Sequence, residues 1–134
     1  MSRPKHQEVR IPVSVGELAD KITILEIKCE RLKAEEKLAS ARKELEVLRP
    51  HFEKFVDTPE PALSAALSEL RQVNLILWDV ENEIRACERA GRFDETFVAL
   101  ARRVYQTNDR RSELKNTISR LTGSSIVEVK DYGS

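Results

Sequence analysis

Val15, Leu18, Ile22, Leu25, Cys29 and Leu32 recur at intervals of three and four, the period of one face of a helix. Ser14-Val15-Gly16-Glu17 ahead of them is a capping box, with Ser14 as N-cap and Glu17 reaching back, so the first helix is predicted to start at about Val15. Ile24 and Ile27 lie to one side of the seam and widen the apolar arc enough to touch two neighbours, which predicts a bundle rather than an isolated pair. After Leu32 the phase shifts. The old seam would bury Glu36 and Lys43, whereas Ala34, Leu38, Ala41, Leu45, Leu48, Phe52 and Phe55 begin a fresh pattern. No Gly or Pro breaks residues 33–37, so the pattern predicts one kinked helix within 15–55, its regular part reaching about Arg49 with Pro50 in a loosened last turn. A true break at 33–37 would instead split it in two.

Thr58-Pro59 reads as an N-cap and first-turn proline opening a second helix over 59–90, with Gly91 closing it. Its apolar face is Leu63, Leu67, Leu70, Val73, Leu77, Val80, Ile84 and Cys87. A third helix is predicted over 94–122, with Asp94 as N-cap, Phe93 and Val98 as a hydrophobic staple, and Gly123 as terminator. Its inner positions are Phe97, Leu100, Val104, Leu114, Ile118 and Leu121. The lead-in, residues 1–13, holds a β-branched stretch confined by Pro12 to an edge strand or extended form, and the tail, residues 124–134, alternates partially and could pair with it. The expectation is a single all-α domain over 1–134: an antiparallel bundle of three long helices, the first kinked or split. Acids outnumber bases in 59–90 and the reverse holds in 92–121, which favours docking the last two helices together.

A chain of 134 residues can bury its own core. Lys+Arg and Asp+Glu both number 23, so no global basic field recruits nucleic acid or anionic lipid. No apolar run approaches the roughly 20 residues of a membrane helix, and the first residues show no apolar signal core, so a soluble cytoplasmic protein is expected. Cys29 and Cys87 lie on apolar stripes and are expected to be reduced and structural.

The candidate chemistry is a polar row where helices should be building a core. Asn74, Trp78, Glu81, Arg85 and Glu88 step by four and three along one stripe of the second helix. On the third, Thr107, Asn108 and Arg111 interrupt the apolar seam at the height facing Asn74. One reading is an inter-helix network that fixes register. Another is a pocket for an anionic small molecule with Lys28, Arg85 and Arg111 as donors, and a third is a protein-partner surface. Trp78 fits a core or interface side chain better than a ligand platform. Neither His6 nor His51 follows a Glu at di-metal spacing, and Gly16 stands alone, so no metal, cofactor or phosphate loop is expected.

The blocks Ile11-Pro12-Val13-Ser14-Val15-Gly16-Glu17-Leu18 and Asp20-Lys21-Ile22-Thr23-Ile24-Leu25-Glu26-Ile27-Lys28 resemble a small bacterial family of domains of unknown function. The likeness continues through Val73-Asn74, Leu77-Trp78, Glu81, Ile84-Arg85, Leu100-Ala101-Arg102, Val104-Tyr105 and Thr107-Asn108-Asp109-Arg110-Arg111. The resemblance implies a setting near glycosyltransferases and other genes of cell-surface polysaccharide, and no activity. Members of the family it resembles often carry a helix-starting Asp-Pro near 33–37 that this chain lacks. Together with the residues it leads to a non-enzymatic helical interaction module, with a protein partner or a homodimer, that assists cytoplasmic steps of surface-glycan assembly. The alternative is an all-α enzyme or sensor for a small anion, at its most specific resembling a helical chorismate mutase, whose pericyclic reaction needs fixed cations and no nucleophile.

Overall fold

The computed structural model describes residues 7–56, 60–126 and 129. Among these the chain is all-α, with four helices: α1 Val15–Arg31, α2 Glu35–Glu53, α3 Pro61–Ala90 and α4 Glu95–Leu121.

The expected kink is a break, and the three long helices are four. Leu32 and Ala34 are extended, with ψ of 139° and 120°, and α2 restarts at Glu35 with two acids in its first turn. Neither Gly nor Pro is needed, because the phase shift itself drives the turn. Folded back, the α2 stripe packs Ala41 and Leu45 against Ile22 and Leu25, with Cys29, Leu32, Leu48 and Phe52 at the margin. A continuous helix would leave that stripe in water, and burying one such side chain gains about 1.5–3 kcal/mol. Pro50 lies within α2, which continues to Glu53.

Helix α1 packs against each of the other three, while α3 and α4 share the most extensive contact. The main core joins Val15 and Ala19 of α1 to Leu63, Ala66, Leu70 and Val73 of α3 and Leu114 and Ile118 of α4. The charge excess noted in the sequence is used where α3 meets α4: Arg110 grips Glu69 with Nε at 2.5 Å and Nη2 at 2.7 Å. That guanidinium holds the Glu69 carboxyl below its ordinary range.

The caps follow the sequence with two differences. Ser14 Oγ accepts from the Glu17 N–H at 3.0 Å, and Asp94 accepts from the N–H groups of Thr96 and Phe97. Gly91 and Gly123 take positive φ, as helix-ending glycines do. Helix α3, however, begins at Pro61 with proline in its first turn, and Thr58 and Pro59 lie outside the described residues. The expected staple is also replaced. Phe93 meets Phe97 edge to face at 5.3 Å, while Phe93 and Val98 remain exposed.

Residues 9–13 form no strand, and Val9 and Ile11 are exposed; most of the tail proposed as their partner lies outside the described residues. Helix length explains where the core ends. The 17 residues of α1 span about 26 Å, against about 45 Å for the 30 of α3, so α1 covers only part of the α3–α4 pair. Leu114 and Ile118 are accordingly buried, whereas Phe97, Leu100 and Val104, expected inside, are half-buried on a projecting two-helix end.

Candidate functional site

Asp20 is the most buried charged residue described, 1% exposed, and sits where α1, α3 and α4 meet. Its Oδ1 accepts from Asn74 Nδ2 at 3.0 Å and from Arg111 Nε at 2.8 Å. Its Oδ2 accepts from Arg111 Nη2, completing a two-pronged grip. Arg111 Nη1 donates to Asn108 Oδ1 at 3.3 Å. Carboxylate, guanidinium and two amides thus satisfy one another, as groups withdrawn from water must.

This cluster is the back wall of a cleft. A hollow of about 280 Å³ opens between α1 and α3, lined by Ile24, Ile27 and Lys28 from α1, by Asn74, Leu77, Trp78, Glu81, Asn82 and Arg85 from α3, and by Arg111. The row from Asn74 to Arg85 lines it because three- and four-residue steps keep these side chains on one face. Ile27, 1% exposed, is apolar floor, and half-exposed Trp78 is a wall.

The structure divides the expected polar row in two. Asn74 and Arg111 both bind Asp20 and so tie α3 and α4 to α1, and half-buried Asn108 accepts from Arg111 on the same helix. Glu81 and Arg85 stand at the rim, 3.8 Å apart, with side chains 46% and 70% exposed. Glu88 is exposed and does not line the cleft. Lys28 and Trp78 do, and Lys28 makes no ion pair among the described residues. Trp78, expected in a core or interface, is half-buried at the edge of the cleft.

Sequence reasoning missed Asp20, the residue that organises the site. A signal was present: Asp20, Ile24 and Ile27 are spaced four and three apart, on the flank that widens the α1 arc. An acid in line with a buried isoleucine must have a partner, and the unexplained Asn74 and Arg111 were the candidates.

Chemically, the cleft offers two cations, Lys28 and Arg85, the Glu81 carboxylate 3.8 Å from Arg85, an indole face, and the amide of Asn82. Arg111 contributes an edge of a guanidinium already held by Asp20. No serine, cysteine or histidine is among its lining residues, and no group of three His, Cys, Asp or Glu among the described residues could hold a metal ion. No helix described is long and apolar enough to cross a membrane.

The sequence matches a family of unknown function, DUF6165, over residues 9–134. The chain belongs to this family. The match takes in all four helices and every residue of the cleft and of the Asp20 cluster. No curated protein matches the chain, and no solved structure does.

Proposed function

We propose that this domain of the DUF6165 family binds a small organic anion with a flat apolar body in the cleft between α1 and α3, as a non-catalytic accessory module. The observation that carries this reading is the convergence of Lys28, Arg85 and Trp78 on one hollow whose wall is fixed by the Asp20 cluster. The two cations attract the anion, and the indole and the isoleucines receive its body. The setting we propose is bacterial and cytoplasmic, in surface-polysaccharide assembly, and it rests on the sequence resemblance. A chorismate-mutase-like enzyme fits less well, because Arg111 is committed to Asp20 and only Lys28 and Arg85 remain to surround a dicarboxylate.

Trp78 is the one tryptophan in the chain, so its fluorescence reports directly on the cleft. Titration with aryl carboxylates, nucleoside phosphates and sugar phosphates is expected to find compounds that change its emission and raise the melting temperature. Ligand at 100 times its dissociation constant adds about 2.7 kcal/mol. Lys28→Gln or Arg85→Met should weaken such binding about tenfold or more, the worth of a hydrogen bond to a charged group. A panel in which nothing moves either readout would sink the proposal.

A second reading, a homodimer, is favoured by the projecting end of the α3–α4 hairpin, where Phe93, Val98 and Tyr105 are 58%, 46% and 57% exposed. A second copy could lay its base-rich α4 on this copy's acid-rich α3. Sedimentation at micromolar concentration should then give a dimer that Tyr105→Lys dissociates; a 15.4 kDa monomer at all concentrations removes this reading.

A further inference from the structure

A second hollow, of about 260 Å³, adjoins the first over α1, and Ile24, Lys28 and Arg111 line both. The two hollows are therefore neighbours that share one wall, and Lys28 reaches both. Their walls differ in kind. The first presents Trp78, Leu77 and Ile27. The second presents Glu17, Lys21 and Glu44, whose charges are already matched: Lys21 Nζ lies 3.0 Å from Glu44 Oε2, and Glu17 Oε2 lies 2.6 Å from Lys115 Nζ. A carboxylate beside an ammonium offers acceptors and donors together without net charge, which suits hydroxyl groups better than another ion.

Size points the same way. Ligand sites usually enclose about 300–1,000 Å³, so each hollow is small alone and the pair falls within that range. Lys28, on a flexible stem and without an ion pair among the described residues, lines both hollows and can serve a ligand that spans them.

We propose that the two hollows together hold one bipartite ligand: a flat ring against Trp78, a phosphate over Lys28, and a hydroxyl-rich group against the paired Lys21 and Glu44. This rests on the anion-binding reading above and adds the chemistry of the far end.

The test compares uridine diphosphate, its glucose ester and glucose 1-phosphate by Trp78 fluorescence and calorimetry on the full chain. The glucose ester should bind about tenfold more tightly than the diphosphate alone, since hydroxyl bonds to charged partners are the strong kind. Glu44→Gln and Lys21→Met, both on exposed side chains, should shrink that advantage to about threefold or less. Equal affinity of ester and diphosphate, or an advantage untouched by both substitutions, overturns the proposal. So does binding of an aryl carboxylate alone from the panel, which would leave the anion-binding reading standing. Silence of Trp78 toward every anion defeats that reading itself.

Discussion

Arg111→Met should lower stability by about 3 kcal/mol, read as a fall of roughly 1–2 M in the urea midpoint. Removing this guanidinium leaves the Asp20 carboxylate, 1% exposed, with Asn74 Nδ2 as its remaining donor from that cluster. Breaking a buried pair from one side costs about 3–5 kcal/mol, and the lower end applies because the Arg111 side chain is 28% exposed. A second substitution, Asp20→Asn, should return part of the loss in the double variant, since the stranded charge is then gone. Arg85→Met supplies the contrast. Its side chain is 70% exposed and its partner Glu81 lies 3.8 Å away, so the change should stay within about 0.5 kcal/mol. Equal losses for the two arginines would mean that Asp20 does not hold the bundle together.

That contrast shows what the sequence could and could not tell. Spacing placed Asn74, Glu81, Arg85 and Arg111 on facing stripes, and all four line one cleft. It could not say how far α1 reaches, and that length decides which of them are internal. Asn74 and Arg111 fall beneath α1 and meet Asp20. Glu81 and Arg85 lie at the rim, and Glu88 lies beyond it.

The helices were legible for the same reason that the turn at 32–34 was not. Apolar periodicity and the caps at Ser14, Asp94 and Gly91 are local, and the structure keeps them. The break has no local marker, since Leu32-Lys33-Ala34 are ordinary helix residues and the gain from breaking is tertiary, Ala41 and Leu45 against Ile22 and Leu25. The phase shift recorded that gain; reading it as a bend preserved one helix at the cost of an unburied stripe. Asp20 was passed over similarly, because its partners lie 54 and 91 residues away and no short-range pattern announces them.

Gly16→Ala should be as damaging as a core truncation, although it adds one methyl group to a helix and the glycine has no unusual φ. The reason is room. A Cβ at position 16 would lie 2.0 Å from the Lys115 carbonyl oxygen, 2.6 Å from its carbon and 2.8 Å from Ser119 Oγ. The first two are backbone atoms of α4 and cannot swing aside, so α1 itself must retreat. Its attachments would go with it. Gly16 N donates to Ser119 Oγ at 2.9 Å, Val15 N donates to Ser124 Oγ at 3.2 Å, and Glu17 pairs with Lys115. The two bonds to serine satisfy first-turn N–H groups that have no partner within the helix. A backbone clash this close puts the overpacking cost at or above the upper end of the usual ~1–3 kcal/mol, and alanine returns about 1 kcal/mol of helix propensity, so a net loss of about 2 kcal/mol or more is expected. Gly91→Ala is the control. Nothing lies within 4 Å of its added Cβ, and its cost is that of a φ of +65°, about 1–2 kcal/mol. Urea midpoints should therefore fall further for Gly16→Ala, and an unchanged midpoint there would show that α1 and α4 do not approach so closely.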